Sequence, residues 1–258
     1  MSSFSLVAPI AEPVSNIPPS SPVWLFDLDN TLHDASFAIF PAISANMNVY
    51  IARVLTGADG VPTQAEIDAA RMGYWRRYGA TLLGMIRHHQ VDAAHFLHET
   101  HDLGPAGALR AKMQFERGLG QLLRRLPGRK ILLTNAPRVY SRAVLRHLGL
   151  QRHFMRHIAI EDMQVHRQLR PKPSKLMLRR LLRKHGLVAQ RCILVEDTLD
   201  NLRPAHQLGM GTAWITQYLR TVDSSGTAVR PRMLKRPAWV DVKVKSVRQL
   251  PASLHRLR

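Results

Sequence analysis

The chain has 258 residues, 45% of them apolar and 6% aromatic, with a formal net charge of +19 at pH 7. That length supports a full-sized core with room for a smaller second unit, and without an apolar run near the ~20 residues that span a bilayer the chain reads as soluble, with no membrane partner. The charge invites nucleic acid, but Arg far outnumbers Lys and the basic residues are spread over helical stretches; no specific nucleic-acid partner is expected, and the positive field is read as attracting a small phosphorylated metabolite.

Residues 1–22 are rich in Ser and Pro and lack the basic start and apolar run of a signal peptide, so they are expected to form a flexible leader. Cys192 is the one cysteine. It excludes an internal disulfide, fits a reducing compartment, with cytoplasm as the expectation, and among apolar neighbours reads as an inert strand residue. Continuously apolar runs at residues 23–29, 130–135, 157–162, 192–197 and 211–216 predict buried strands of a parallel sheet. Helical spacing follows most of them, as at Val139, Val144, Leu145 and Leu148 or Leu176, Leu178, Leu181 and Leu182. The fold class is therefore α/β, a doubly wound Rossmann-like parallel sheet whose polar strand ends converge on a ligand site.

Residues 40–125 interrupt this pattern and predict an all-helical insert after the first strand, with helices over residues 43–54, 67–77, 82–88 and 106–126. The expected organisation is a core of residues 23–39 and 126–258 with the insert as a cap. Residues 219–237 turn polar and predict a surface loop, before a last strand at residues 239–244 and a short terminal helix.

Asp27 and Asp29 end the first strand in FDLDNTLHD. A carboxylate at Asp27 can attack phosphorus and form an aspartyl-phosphate, and Asp29 can act as the general acid and then the base. The run matches the DxDx[TV] motif of the haloacid dehalogenase superfamily, and the chain resembles that superfamily over residues 22–218. Three further motifs stand in the family's order. Thr134 and Asn135 in ILLTNAP can hold phosphate oxygens at a strand-to-helix turn. Lys172, between prolines in LRPKPS, supplies the cation that a carboxylate approaching a phosphate dianion requires. Glu196 and Asp197 in CILVEDT are adjacent carboxylates that call for a metal cation.

The resemblance implies Mg2+ held by the Asp27 carboxylate, the Asp29 backbone carbonyl and the Asp197 carboxylate, with Glu196 orienting a water and Asp200 and Asn201 as outer candidates. It also implies that the insert closes over the site and chooses the substrate. Within the insert, YWRRYGATLLGM at residues 74–85 resembles a run of the pyrimidine 5'-nucleotidases. Tyr74, Trp75 and Tyr78 can stack on a base while Arg77 and Thr81 offer polar contacts. The expected activity is a Mg2+-dependent phosphomonoesterase acting on pyrimidine nucleoside 5'-monophosphates, with a sugar-phosphate or phosphoglycolate-type phosphatase as the alternative and, less favoured, a basic nucleic-acid-binding protein on the same core. Dehalogenase chemistry is disfavoured because Asp29 supplies an acid that the dehalogenases lack there. The histidine groups His88–His89 and His95, His98 and His101 have no carboxylate or thiolate at zinc-ligand spacing and are not read as a zinc site.

Overall fold

The structure is a computed structural model and describes residues 21–57, 60–222, 228–229 and 234–257. Residues 1–20, nearly the whole expected leader, and part of the expected surface loop lie outside these. In chain order the strands are β1 (Val23–Phe26), β2 (Arg129–Leu133), β3 (Arg156–Ile158), a small hairpin of β4 (Gln164–Val165) and β5 (Gln168–Leu169), β6 (Cys192–Glu196), β7 (Gly211–Ile215), a second small hairpin of β8 (Thr221–Val222) and β9 (Ala228–Val229), and β10 (Val242–Val244). Six of them form one sheet in the order β10-β7-β6-β1-β2-β3, with every pair parallel.

The side-chain period of two divides each strand between two cores. Trp24, Phe26, Leu132, Ile193 and Val195 face one; Val23, Leu25, Ile131, Leu133, Cys192 and Leu194 face the other. Burial on both faces explains why the runs read as continuously apolar, and each such Val, Leu or Ile is worth about 1.5–3 kcal/mol removed from water. α7 (Arg138–His147) closes the first face through Tyr140, Val144 and Leu145. α8 (Lys175–Lys184) and α9 (Leu199–His206) close the second through Met177, Leu178, Leu181, Leu182, Leu202 and Ala205. The protein is thus a three-layer α/β fold.

The insert begins with α1 (Ala35–Leu55), whose N-terminus is capped by Asp34 accepting from the Phe37 N–H at 3.0 Å. At ~1.5 Å per residue α1 is long enough to join two cores: Ala35, Ile39 and Ile43 pack with the sheet, whereas Tyr50 and Ile51 pack with Ile67, Leu82, Met85, Phe96 and Leu97 in a separate cluster. The expectation that no stretch is long and apolar enough to span a bilayer is corrected here, because α1 passes that test by length and composition with a hydropathy of 1.3. Its buried side chains face protein in both clusters.

α2 (Gln64–Tyr78) starts at a Thr63/Glu66 capping box and ends at Gly79 in the left-handed region, φ 79°. α3 (Thr81–His89) lies against it. Gly84 admits the Tyr74 ring so closely that a Cβ there would sit 2.2 Å from it. α4 (Ala93–Thr100), which the helical spacing did not mark, completes the cluster through Phe96 and Leu97. The expected helix over residues 106–126 divides into α5 (Ala106–Lys112) and α6 (Leu119–Arg125), because Gln114 leaves the helix to accept the Asp34 N–H at 2.7 Å and Gly118 turns the chain at φ 81°. Leu119, Leu122 and Leu123 of α6 pack in the cluster that covers the sheet.

Two other expectations shift. The third strand stops at Ile158, since Asp162 folds back to accept the Ala159 N–H at 3.0 Å and starts a 3-10 turn. The terminal helix is a 3-10 run over Val247–Arg256.

Candidate active site

The register that sets Phe26 beside Leu132 and Val195 brings three strand ends level, and the next residues emerge at one edge of the sheet. Asp27 still pairs, donating its N–H to Val195 O at 2.9 Å. The chain then turns: Leu32 N–H returns to Leu28 O at 2.8 Å and Asn30 takes a left-handed φ of 58°, held by its side-chain oxygen accepting from Ser36 N–H at 3.0 Å. This turn replaces the extended geometry that would have sent Asp27 and Asp29 to opposite faces. It also brings the Thr31 hydroxyl to Asp27 Oδ2 at 3.3 Å.

Lys172 arrives from the loop after β5 and is 2% exposed. Its Nζ donates to Asp27 Oδ1 and to Glu196 Oε2, both at 2.6 Å. Asn135 fixes that loop: its Nδ2 donates to Lys172 O at 3.0 Å and its Oδ1 accepts from Lys172 N–H at 2.9 Å. The Asn135 side chain thus holds the lysine backbone, and its main-chain N–H, the group expected to face phosphate, makes no hydrogen bond among the described residues. Thr134 is 1% exposed, and its hydroxyl oxygen accepts from Ala136 N–H at 3.1 Å.

Asp27, Glu196 and Asp197 each offer a carboxylate oxygen, and these atoms lie within 4.8 Å of one another. Asp197 is anchored through its backbone oxygen by Trp214 Nε1 at 2.8 Å and through Oδ1 by the Thr198 hydroxyl at 3.1 Å. Burial, and then crowding, raises the proton affinity of Asp27 and Asp197. The Asp27 carboxyl is pushed up to about 7 by burial, with the Glu196 charge adding and Lys172 opposing; Asp197 rises well above the carboxylate range, again by burial first and then Glu196. Burial alone would lower Lys172, but Asp27 and Glu196 hold it above the ordinary ammonium value. An all-oxygen donor set with excess negative charge suits a hard cation such as Mg2+. Asp200 is exposed on the first turn of α9 and Asn201 half-buried beside it; among the described residues neither reaches Asp197.

Asp29 has a different setting. Its Oδ1 receives two hydrogen bonds, from His33 Nε2 at 2.8 Å and from the Tyr140 hydroxyl at 2.7 Å. Burial pushes its carboxyl up, but the His33 and Tyr140 contacts outweigh it and the net shift is downward. Tyr140 is held protonated by burial and by the Asp29 charge. His101, just past α4, faces Tyr140 with ring centroids 5.7 Å apart; burial lowers it to about 4 and keeps it neutral.

In the cap, Thr81 is buried and donates to Arg71 O at 3.1 Å, and Tyr74 packs on Gly84 with its hydroxyl 2.6 Å from His89 Nε2. Both belong to the α2–α3 contact. Trp75 is 54% exposed and Arg77 is exposed, its guanidinium 5.5 Å from the Tyr78 ring centre. Tyr78 also meets His88 Nε2 at 2.6 Å. A Cβ on Gly79 would sit 3.6 Å from Pro173 Cδ, so the end of α2 reaches the loop that carries Lys172. Among the described residues no histidine group has the geometry of a metal site; the acidic cluster alone does. Cys192 is buried, which pushes its thiol up to about 11 and leaves it inert.

A family model described as haloacid dehalogenase-like hydrolase matches residues 23–209. The chain belongs to that family. Similar solved structures include a HAD phosphatase from Thermococcus onnurineus, TM-score 0.60 at 17% identity, covering 92% of this chain and 99% of that one. CbbY from Rhodobacter sphaeroides in complex with phosphate has a TM-score of 0.57 at 18% identity, covering 91% and 99%. L-2-haloacid dehalogenase from Xanthobacter autotrophicus has 0.52 at 14%, covering 91% and 98%. These likenesses show a shared fold. A haloacid dehalogenase-like hydrolase can thus share this scaffold with either chemistry, and the choice rests on the side chains.

Proposed function

We propose that this hydrolase is a Mg2+-dependent phosphomonoesterase with Asp27 as nucleophile. The observation that carries the reading is charge balance: three carboxylates, Asp27, Glu196 and Asp197, meet the Lys172 ammonium, leaving a deficit of two positive charges. Bound there by Asp27 and Asp197, with the Asp29 carbonyl as a third oxygen, Mg2+ would supply that charge and neutralise a phosphoryl oxygen.

Asp27, ionised and hydrogen-bonded to Lys172, attacks phosphorus, and the bond from phosphorus to the ester oxygen breaks as an aspartyl-phosphate forms. The departing alkoxide takes a proton from Asp29. The His33 and Tyr140 contacts favour the ionised form of Asp29, so its proton is recruited as the phosphate charge arrives and raises its affinity. Water then attacks phosphorus, gives a proton back to Asp29, and the bond from Asp27 to phosphorus breaks. Lys172 and the Asn135 main-chain N–H offset the oxygen charge in both steps. A chloride departs without a proton, so dehalogenation would not call on Asp29 as the acid of the first step.

For substrate we infer a nucleoside 5'-monophosphate, with pyrimidine preferred. The support is the exposed Trp75 and Arg77 beside Tyr78, on a helix whose end reaches Pro173. Phosphate release from a panel of nucleotides and sugar phosphates, with Mg2+ and after chelation, tests both levels. Release is expected from pyrimidine nucleotides first, to vanish on chelation, and to fall on the order of 10⁴-fold in Asp27→Asn. Preference for sugar phosphates would overturn the nucleotide assignment, and unimpaired Asp27→Asn would overturn the nucleophile.

A further inference from the structure

Within the phosphatase reading, on which this inference rests, Asp29 must both give and take a proton, and the side chains around it have no assigned part. Both of its hydrogen bonds land on the same oxygen, Oδ1. Among the described residues none reaches Oδ2, on a side chain that is 15% exposed. A carboxylate gripped through one oxygen keeps a fixed plane and presents the other for transfer.

His33 is fully buried, and its Nδ1 has no hydrogen-bond partner. Donation from Nε2 to Asp29 puts the proton on Nε2 and leaves Nδ1 as a bare buried acceptor. Such an orphan atom costs stability, which an apolar side chain of similar size would avoid. A histidine here makes sense through what Nε2 does for Asp29.

Tyr140 comes from α7, 111 residues away in sequence, and is 4% exposed. Its ring lies against His101, which follows α4 in the insert. The backbone around His101 is tied to α1 by Asn46 Nδ2 donating to Thr100 O at 3.3 Å and Asp102 O at 2.8 Å. The grip on Asp29 therefore has one wall from the sheet and one from the cap.

We propose that His33 and Tyr140 are positioning residues for the proton-carrying Asp29, and that His101 ties the cap to that position through the Tyr140 ring. In the second step water forms its bond to phosphorus and passes a proton to Asp29 Oδ2 as the bond between Asp27 and phosphorus breaks. With 4-nitrophenyl phosphate the leaving group departs without a proton, so the first step hardly needs Asp29 while the second does.

The test is rapid-mixing kinetics on 4-nitrophenyl phosphate with Mg2+, using the full-length protein, Tyr140→Phe, His33→Gln and His101→Ala, with thermal melting of each to confirm folding. Tyr140→Phe and His33→Gln are expected to keep a nitrophenol burst within about twofold of the wild-type rate while steady-state turnover falls about 10- to 100-fold, since the whole acid–base contribution spans 10²–10⁴. His101→Ala is expected to slow turnover less, by about threefold to tenfold. Equal slowing of burst and turnover in folded variants, or no slowing, overturns the proposal while leaving the phosphatase reading intact. A wild type that releases no nitrophenol and no phosphate from any monoester removes that reading, and this one with it.

Discussion

The sheet and the helical insert bury their side chains by different rules. Every residue of β1 and β6 is buried, and the strand ends hold the carboxylates level to within hydrogen-bond distance of one ammonium. In the insert, Ile67 is the one residue of α2 that is buried, and the α2–α3 contact depends on tyrosine, histidine and arginine rings and forks. Chemistry that must keep atoms in place is mounted on the rigid layer. Under the proposed function, recognition, which tolerates adjustment, falls to the polar, aromatic surface of the insert, whose rings remain partly in solvent.

Four variants probe that division. Lys172→Met should have the largest effect, because it leaves buried carboxylates without their cation; breaking a buried pair costs about 3–5 kcal/mol. The sign with pH follows from the raised carboxyls of Asp27 and Asp197. The folded protein binds protons there that the unfolded chain, titrating near 4, does not. The stability they contribute is full below about pH 4 and is lost as pH rises through about 7. Denaturant unfolding without Mg2+ should show Lys172→Met far more damaged at pH 8 than at pH 5; equal damage at both would mean that the lysine acts through packing.

Leu194→Ala, at a fully buried sheet position, is expected to cost about 3–4 kcal/mol, and Leu82→Ala in the cap cluster about 2 kcal/mol, within the range for buried Leu→Ala changes. The difference reflects how far each surrounding can collapse. Melting curves that rank them the other way would break the contrast between a rigid layer and an adjustable one. Trp75→Ala should matter least for folding, within ~0.5 kcal/mol, as an exposed site. Its effect should be a severalfold rise in KM for nucleotides with kcat on 4-nitrophenyl phosphate unchanged; no change in KM would take Trp75 out of recognition.

How much could be read in advance depended on sequence distance. The strand runs stood out because burial on two faces leaves an unbroken apolar stretch, and the Asp27–Asp29 spacing is contiguous. The 157–162 run reads as one strand, yet Asp162 accepts its own neighbour's N–H and ends the ladder at Ile158. His33 sat in view within FDLDNTLHD, four residues after Asp29, but only the turn at Asn30 converts that spacing into a contact. The Asn135 side chain has a second task that was not legible, because the Lys172 backbone it holds lies 37 residues on. The contacts of Thr81 with Arg71 and of Tyr74 with Gly84 were likewise not legible, since they join two helices.

The sequence by itself determined the α/β class, the helical interruption and the identity of the charged groups at the strand ends, since these follow from local apolar patterning and from short runs that each fold as a unit. Tertiary structure alone decided which groups touch: Lys172 between Asp27 and Glu196, Tyr140 on Asp29, and the α6 leucines in the cluster that covers the sheet. The physical reason is that hydrogen bonds and ion pairs act over about 3 Å, while the partners lie 24 to 145 residues apart along the chain.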